Sequence, residues 1–345
     1  MTHTFIIAEA GVNHNGDEAL ALELVDIAAA CGADAVKFQT FRADKLVRPG
    51  AEKAEYQKRQ TGAGDQHSML RQLEMSEALH HKLLVRCQLA GIEFMSTPFD
   101  EEAADFLITL GMRRIKIPSG EITNHPFLAH LAAKNLPIIL STGMSTMEEI
   151  LDAIEVIRSV RQQRGFSAPL AKMLTVLHCT SNYPAALKDV NLRAMNTIGQ
   201  VTGLPIGYSD HTEGITVPIA AVGMRATVIE KHFTLDRNLP GPDHKASLQP
   251  NELAAMVVGI REVEQALGGE ATKQPSESEL QVRALVRRSV TLTSSVLAGQ
   301  VIGANDLALL RPGNGIAPKE WNRVVGRRAA RDLAGGTTLQ WSDLA

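Results

Sequence analysis

Eight short apolar runs rich in β-branched residues recur along this 345-residue chain, and amphipathic stretches with helical spacing follow most of them. A strand followed by a helix, repeated in this way, predicts a parallel sheet, because parallel neighbours need a crossover connection. The predicted strands are Phe5 to Ala8, Ala35 to Phe38, Ile92 to Ser96, Arg114 to Ile117, Pro137 to Leu140, Leu174 to His178, Pro205 to Tyr208 and Thr227 to Lys231. Predicted helices include Glu18 to Ala30, Glu101 to Leu110, Met147 to Val160 and Asn251 to Leu267.

Polar or ionisable residues end nearly every one of these runs, as in Lys-Ile-Pro-Ser-Gly-Glu from Lys116 to Glu121. A closed (β/α)8 barrel, or TIM barrel, gathers the C-terminal ends of eight strands at one rim, where its active site lies. The chain is therefore predicted to be an enzyme of the α/β class.

Chain length and composition predict a second, smaller domain. A barrel takes about 250 residues, and the polar, proline-containing segment Lys273 to Glu279 after the last predicted helix is typical of a linker. We therefore predict a barrel domain over residues 1-270, a linker over 271-284 and a C-terminal domain over 285-345. Two similar half-motifs in the last segment, each running from Leu-Ala-Gly to Asp-Leu, predict a compact, pseudo-symmetric β domain.

One long segment interrupts the strand-helix alternation. Arg42 to Ser76 is too long for an ordinary strand-to-helix connection, and it contains Arg, Lys, Tyr and Gln with Gly62 and Gly64. We interpret it as an elaborated loop that covers the barrel rim.

The charge balance argues against several classes of partner. Thirty-eight acidic and 35 basic residues give a formal charge of -3, which does not favour non-specific binding to nucleic acid or to an acidic membrane. Cys31, Cys87 and Cys179 are few and far apart, which favours a reducing compartment over a disulfide framework. The N-terminal residues lack a secretory pattern, and no run of about 18 apolar residues occurs. A cytoplasmic location is predicted.

Ten motifs occur in a fixed order at the predicted strand ends and in the C-terminal domain. They are Ala8 to Gly16, Lys37 to Thr40, Ser96 to Asp100, Lys116 to Glu121, Ser141 to Met144, His178 to Pro184, Tyr208 to His211, Glu230 to Thr234, Gly241 to His244 and Arg311 to Gly315. Together they resemble the sialic acid synthase family, also called the nonulosonate synthases. The resemblance covers nearly the whole chain.

The resemblance implies both a fold and a reaction. The fold is a TIM barrel followed by a small β-clip domain of the SAF type, similar to type III antifreeze protein. The reaction is a transfer in which phosphoenolpyruvate, an N-acylated mannosamine-type sugar and water give a nine-carbon 2-keto sugar acid and phosphate. It forms a C–C bond, cleaves a C–O bond and uses a divalent metal. The product is of the N-acetylneuraminate or legionaminate type, and pseudaminate synthase is an alternative within the family.

Two lysines predict a site for an anion. Lys37 and Gln39 lie two apart on one strand and face the same way, and Lys116 comes from a strand two further round the barrel. Two ammonium groups that face one cavity repel each other unless an anion lies between them. The resemblance assigns phosphoenolpyruvate to Lys37, Thr97, Lys116, Ser119, Ser141 and Ser209. The alternative is that the lysines pair with carboxylates such as Glu9 or Glu121.

Two carboxylates are candidates for proton transfer. Glu9 and Glu121 follow the first and fourth predicted strands. One can hold a sugar hydroxyl or protonate the aldehyde oxygen while the other activates water, and the resemblance places Glu9 at the sugar and Glu121 near the water. With these two, Lys37 and Lys116 complete the predicted catalytic set. Strict alternation separates Glu121 from Lys116, so the fourth strand must end or bulge near Pro118.

Two histidines predict a metal site. His211 and His232 end the seventh and eighth strands, and adjacent parallel strands lie about 4.8 Å apart, so both rings can reach one ion. Two imidazoles with water or substrate oxygens suit Mn²⁺ best, with Mg²⁺ or Co²⁺ as other choices. The alternative is a pair of hydrogen-bonded rim histidines that hold no metal.

The resemblance also implies a set of sugar contacts and an oligomer. The set is Glu9, Gln39, Ser181, Asn182, Tyr183, Asp243 and Arg311. In the family the arginine reaches the sugar site of the partner subunit, which implies a domain-swapped homodimer. Some relatives have the sugar-binding asparagine one residue before Asn182, and this chain lacks an aromatic residue near Arg287. These departures favour a legionaminate-type acceptor over N-acetylmannosamine.

Two other functions compete with this interpretation. The first is a barrel aldolase that forms a Schiff base on Lys37, Lys116 or Lys231. The second makes the C-terminal domain a carbohydrate- or ice-binding module on an inert barrel, although the many polar residues at the strand ends argue against an inert barrel.

Overall fold

The computed structural model describes residues 3–268 and 271–345, and the chain divides at residues 269/270 into two compact units, each with its own hydrophobic core. The strands of the first unit are β1 (Phe5–Gly11), β2 (Ala35–Thr40), β3 (Glu93–Pro98), β4 (Ile115–Ile117), β5 (Ile138–Ser141), β6 (Leu174–Cys179), β7 (Ile206–Asp210) and β8 (Val228–His232). Those of the second unit are β9 (Ser289–Leu292) and β10 (Leu307–Leu310).

Helices follow or separate these strands along the described chain. They are α1 (Glu18–Ala30), α2 (Ala43–Leu46), α3 (Glu55–Thr61), α4 (Gln66–Arg71), α5 (Glu77–Ala90), α6 (Glu101–Thr109), α7 (His125–Ala132), α8 (Met147–Gln163), α9 (Leu170–Met173), α10 (Arg193–Thr202), α11 (Thr216–Gly223), α12 (Pro250–Leu267), α13 (Glu277–Val286) and α14 (Trp321–Val324).

The first eight strands form one parallel sheet in the order β3-β2-β1-β8-β7-β6-β5-β4. The two end strands, β3 and β4, lie side by side, so the sheet curls into a nearly closed barrel. The predicted eight-stranded α/β barrel is confirmed. All strands except β4 extend beyond the C-terminal end of the predicted run, because the polar residues that follow each apolar run still belong to the sheet. The fourth strand ends at Ile117, as the position of Pro118 required.

Inward-facing residues change character along the barrel strands. Six apolar side chains form a buried cluster inside the barrel: Ile7, Ala35, Met95, Ile139, Leu177 and Val228. Two residues further along the same strands, the buried positions on the same face are Glu9, Lys37, Thr97, Ser141, Cys179 and Glu230. The apolar layer fills the barrel below, and the polar layer lies above it toward the C-terminal mouth.

Outward-facing strand residues pack against the surrounding helices in a second, larger core. The first helix, α1, buries Ala21, Leu24, Val25 and Ala28, which are spaced to form one stripe. The last barrel helix, α12, buries Leu253, Met256, Val257 and Ile260 in the same pattern. Each fully buried large side chain contributes about 1.5–3 kcal/mol, so these stripes hold the helices that brace the strand ends.

The segment from Arg42 to Ser76 contains three short helices, α2, α3 and α4, where a loop was predicted. Local polar contacts build them. Lys53 is buried and its Nζ donates to Thr61 Oγ1 at 2.9 Å, at the end of α3. The Asp65 carboxylate caps α4 by accepting from the Ser68 amide at 2.7 Å. Apolar periodicity is a weak signal in helices of four to seven residues held in this way, so the sequence did not indicate them.

The segment predicted as a linker, Lys273 to Glu279, leads into helix α13. Ser276 accepts from the Glu279 amide at 3.3 Å while the Glu279 carboxylate accepts from the Ser276 amide at 2.8 Å. This reciprocal pair is a capping box. The same Ser and Glu residues that gave the segment a linker-like composition therefore start a helix.

The second unit is a small β structure with its own buried cluster, which includes Val290, Leu292 and Ile302. Strands β9 and β10 pair antiparallel. The two similar half-motifs end in equivalent turns. Asp306 accepts from the Gly303 amide at 2.8 Å, and Asp343 accepts from the Gln340 amide at 2.9 Å. The internal echo in the sequence thus corresponds to two repeated capped turns.

None of the helices within the described residues has both the length and the apolar character needed to cross a membrane. The three cysteines, Cys31, Cys87 and Cys179, are free thiols.

Candidate active site

A buried ion pair joins the first two strands at the barrel mouth. Glu9 and Lys37 are register partners in the sheet, and the Lys37 Nζ lies 2.6 Å from Glu9 Oε2. Lys37 also donates to Thr97 Oγ1 at 2.9 Å, and Gln39 Nε2 donates to Glu9 Oε1 at 3.3 Å. Four residues predicted for the site therefore share one hydrogen-bonded cluster.

Glu230 lies between the two lysines. Its carboxylate is 3.6 Å from Lys37 Nζ and 3.5 Å from Lys116 Nζ, and Ser209 Oγ donates to it at 3.1 Å. Lys116 also donates to Ser141 Oγ at 2.7 Å. The lysines thus pair with carboxylates, as the alternative interpretation held, and the partners are Glu9 and Glu230.

Sequence reasoning did not assign Glu230 to the site, although a signal was present. It precedes His232 by two residues on one strand, so the two side chains must share the inward face. If His232 lies at the barrel mouth, Glu230 must therefore lie in the barrel interior below it.

Burial and neighbouring charges give the carboxyl groups of Glu9 and Glu230 different pKa values. Burial, together with the like charge of Glu230, raises the pKa of Glu9 to about 7 against the opposing effect of Lys37. Burial also acts to raise the pKa of Glu230, but the positive charges of Lys116 and Lys37 outweigh it and lower that pKa to about 2. Near neutral pH Glu230 is the fixed counter-charge, and Glu9 is the group that can exchange a proton.

A close approach at Gly143 joins the loops after β4, β5 and β6. The Gly143 amide donates to Ser119 Oγ at 2.9 Å. A Cβ atom at this position would lie 2.1 Å from Ser181 Oγ and 3.3 Å from Cys179 Sγ. A side chain here would have to displace the Ser181 and Ser119 hydroxyls, so glycine allows both serines to lie against the same backbone.

His211 and His232 lie together at the mouth, with ring centroids 5.5 Å apart. The Thr180 carbonyl lies 2.7 Å from His211 Nδ1 and accepts a hydrogen bond from it, so Nε2 is the ring nitrogen that can bind a ligand. His232 Nδ1 is buried with no hydrogen-bond partner among the described residues. Burial, together with the positive charges of His211 and Lys37, holds the pKa of His232 well below its usual range, so the ring is neutral.

These two histidines fit a metal site in which the protein supplies two ligands and the other coordination positions are open to water or substrate. No cluster of three or more His, Cys, Asp or Glu side chains suited to an ion occurs in the part of the chain that the structure describes. Two imidazoles, with the other positions left to water or substrate oxygens, match a site for Mn²⁺ or a similar cation. A Cβ atom on Gly11 would lie 3.4 Å from both His232 Cε1 and Glu9 Oε1, so the histidine pair adjoins the carboxylate cluster.

The predicted sugar residues form the other side of the mouth. The Tyr183 ring lies on the His211 ring with centroids 4.0 Å apart. Asp243 is 8% exposed, and burial raises its pKa to about 6. Ser181 and Asn182 line an adjoining cavity of about 670 Å³.

Two barrel residues named from the sequence, Glu121 and Lys231, lie apart from this cluster. Glu121 is half-buried in a turn after β4, where its carboxylate accepts from Asn124 Nδ2 at 2.7 Å. Arg311 belongs to the second unit and is exposed directly after β10. Lys231 lies on the opposite face of β8, fully buried, with its Nζ 2.6 Å from Asp210 Oδ2. Lys231 is therefore not available as an aldolase nucleophile at the mouth.

Comparisons with known proteins show which family the chain matches. Residues 24–272 match the NeuB family, and residues 287–345 match the SAF domain. The chain is 54% identical to an N,N'-diacetyllegionaminic acid synthase of Legionella pneumophila, over 99% of this chain and 94% of that protein. A Campylobacter jejuni protein of the same name is 44% identical over 96% of this chain and 97% of its own length.

This chain belongs to the NeuB family. A crystal structure of an N-acetylneuraminic acid synthetase from Leptospira borgpetersenii has the same fold, with a TM-score of 0.69 and 34% identity over 81% of this chain and 90% of that one. The resemblance found in the motifs is thereby confirmed. The NeuB match includes Lys37, Lys116, Glu230 and both rim histidines, whereas Glu9 lies before its first residue.

The charge arrangement in this NeuB-family site predicts how Glu9 titrates. Glu230→Gln removes a neighbouring negative charge and keeps the side-chain shape. Because that charge raises the pKa of Glu9, its removal is expected to lower the Glu9 pKa from about 7. Carboxyl ¹³C NMR titration of metal-free protein, with Glu9→Gln to assign the signal, measures the shift. Glu93→Gln, which removes a carboxylate paired with Arg114, is the control. A Glu9 pKa that stays the same or rises in Glu230→Gln would contradict the charge arrangement.

Proposed function

We propose that this chain condenses phosphoenolpyruvate with an N-acylated mannosamine-type sugar and water to give a nine-carbon 2-keto sugar acid and phosphate. The observation that carries the proposal is the pair of buried lysines around Glu230, next to two histidines at the mouth of a NeuB-family barrel. The names of its most similar relatives support the same reaction.

The lysine side of the mouth suits phosphoenolpyruvate. Lys37 and Lys116 are already oriented by Thr97 and Ser141, and in this proposal phosphate or carboxylate oxygens of the substrate compete with Glu230 for their N–H groups. We assign the hydroxyls of Ser119 and Ser209 to the same substrate. Phosphate leaves by cleavage of its C–O bond, and the two ammonium groups stabilise the charge that develops on it.

The carboxylates are assigned to the sugar and to water. As C3 of the enol attacks the aldehyde carbon, negative charge develops on the aldehyde oxygen, and a group with a pKa near 7 is suited to supply a proton there. Glu9 is that group in this proposal, and Gln39 orients it. Glu121 is proposed to act on the water that adds to C2.

A divalent cation is assigned to His211 and His232, with Mn²⁺ as the first choice and Mg²⁺ or Co²⁺ as the others. Bound there, it would supply Lewis-acid polarisation of the aldehyde oxygen. The neutral state of His232 and the Nδ1–H donation from His211 to the Thr180 carbonyl prepare both rings for this role.

The acceptor is proposed to be a 2,4-diacetamido-2,4,6-trideoxy mannose, which gives a legionaminate-type product. Ser181 and Asn182 support this choice because they depart from the pattern of some sialate-forming relatives, and the names of two relatives agree with it. Tyr183, Asp243, Glu9 and Gln39 are the other barrel residues assigned to the sugar.

A phosphate-release assay tests the reaction and the acceptor together. Purified protein with Mn²⁺ and phosphoenolpyruvate is expected to release phosphate with the diacetamido sugar at a kcat/KM at least about tenfold above that with N-acetylmannosamine. Mass spectrometry should detect the nine-carbon keto acid. Phosphate release without sugar, or trapping of a lysine adduct by borohydride with pyruvate, would contradict the condensation.

The metal assignment predicts a loss of binding. His211→Ala removes one of the two protein ligands, so Mn²⁺ affinity is expected to fall more than the about 10–100-fold typical of an outer-shell partner. Electron paramagnetic resonance of free Mn²⁺ measures the affinity, and His81→Ala, at an exposed histidine, is the control. Unchanged Mn²⁺ affinity in His211→Ala would reject the assignment.

Arg311 is proposed to complete the sugar site of a partner subunit in a domain-swapped homodimer. Arg311→Ala should raise the sugar KM. Mixing Arg311→Ala subunits with Lys116→Met subunits should regenerate intact sites, about a quarter of the total after random re-association, because each mixed dimer pairs one intact barrel with one intact arginine. No recovery from a verified mixed dimer would mean that the arginine does not act across subunits.

A further inference from the structure

A row of aromatic rings connects the barrel mouth to the segment from Arg42 to Ser76, called the inserted segment below. The Tyr56 ring on α3 stacks on the Tyr183 ring, with centroids 5.2 Å apart and an interplanar angle of 30°. Tyr183 in turn lies on His211 and meets His232 edge-on at 5.6 Å. Tyr56 is therefore the side chain by which the segment between β2 and α5 reaches the site.

Polar contacts fix helix α3, which carries Tyr56. Gln57 is the buried residue of this helix, and its Oε1 accepts from the Ala54 amide at 3.0 Å. Lys53 is buried beneath the other end and donates to Thr61 Oγ1 and to the Gly62 carbonyl. This helix buries little apolar surface, so it gains little stability from packing on the barrel. Its position over the mouth therefore indicates that Tyr56 itself has a role there.

A nearly buried carboxylate, that of Asp243, lies near Tyr56 and Tyr183. Lys53 and Thr61 from the α3 segment and Pro242 beside Asp243 line one cavity. The Asp243 side chain is 8% exposed, and it accepts no hydrogen bond from any residue that the structure describes. Its charge reaches both rings, because burial and then the Asp243 carboxylate raise the pKa of Tyr56, and Asp243 acts in the same direction on Tyr183. The remaining donors to this carboxylate are solvent and a bound ligand, so Asp243 is placed to accept a hydrogen bond from a molecule that enters the mouth.

The Tyr56 hydroxyl also has hydrogen-bonding capacity to spare. Its oxygen accepts from Gln57 Nε2 at 3.4 Å, and within the described residues no group accepts its proton. The pair of Tyr56 and Asp243 thus offers one donor, one acceptor and an apolar ring face. A neutral polyhydroxylated or amide-bearing molecule matches this set. An anion such as phosphoenolpyruvate does not, because Asp243 would repel it.

We infer that Tyr56 is a specificity-determining residue of the acceptor-sugar site, in which its ring and hydroxyl form the outer wall opposite Asp243. The inference rests on the proposed function and extends the site to the inserted segment. The ring face contacts an apolar substituent of the sugar, such as an acyl methyl or a deoxy carbon. The hydroxyl donates to an acyl carbonyl or ring substituent while Asp243 accepts from a sugar O–H or amide N–H.

Steady-state kinetics of two variants test this role. Tyr56→Ala should raise the KM for the sugar about tenfold or more while the KM for phosphoenolpyruvate stays within about twofold, since only sugar binding is removed. Tyr56→Phe keeps the stacked ring and loses the hydroxyl, so a smaller rise of about two- to fivefold is expected. Arg59→Ala, at an exposed residue of the same helix, should match the wild type.

A binding measurement without turnover separates contact from indirect effects. The chain has three tyrosines, Tyr56, Tyr183 and Tyr208, so protein labelled with 3-fluorotyrosine gives three ¹⁹F signals that Phe variants assign. Sugar added alone should shift the Tyr56 and Tyr183 signals. Tyr208, buried in the core between strands and helices, is the internal control.

Two results would overturn the inference. One is a sugar KM that is unchanged in Tyr56→Ala when the wild-type enzyme is active with the same sugar. The other is a sugar that shifts the Tyr183 signal and leaves Tyr56 in place. A wild-type protein that condenses no sugar with phosphoenolpyruvate would count against the proposed function, which the assay above detects independently.

Discussion

Charge compensation inside the barrel is the constraint on which the site depends. Lys37, Lys116, Glu9 and Glu230 are each at most 5% exposed, and none of these charges could be buried alone. Removing one partner of such a pair typically costs about 3–5 kcal/mol, because it leaves an uncompensated charge. Glu230 is the central member, since it contacts both lysines. The same arrangement gives Glu9 a pKa near neutrality. It also compensates the charges of both lysines in the absence of a substrate.

The barrel supports this cluster by a simple division along each strand. Inward residues such as Ile7 and Val228 form an apolar layer, and the residues two positions later, such as Glu9 and Glu230, form the polar layer above it. The apolar layer keeps water from the underside of the charges, so their interactions stay strong.

Much of this site followed from strand periodicity and from the family resemblance. The sequence placed Lys37 and Gln39 on one face, and the structure joins both to Glu9. It also placed His211 and His232 within reach of one another, as their ring separation confirms. Glu230 was missed, although its spacing from His232 contained the information. The role of Glu121 stays a prediction, because its carboxylate is held by Asn124 and contacts neither lysine.

The sequence by itself determined the eight strands, their order of alternation with helices and the polar residues at their ends, because a period of two residues and a buried core leave few other arrangements. Only the tertiary structure decided which charges pair, since Lys37 could have met any of several rim carboxylates. It also brought Tyr56, 127 positions before Tyr183 in the chain, onto the ring of that residue. Local periodicity carries no information about such a contact, because it depends on how a short, polar-anchored helix is seated over strands distant in sequence.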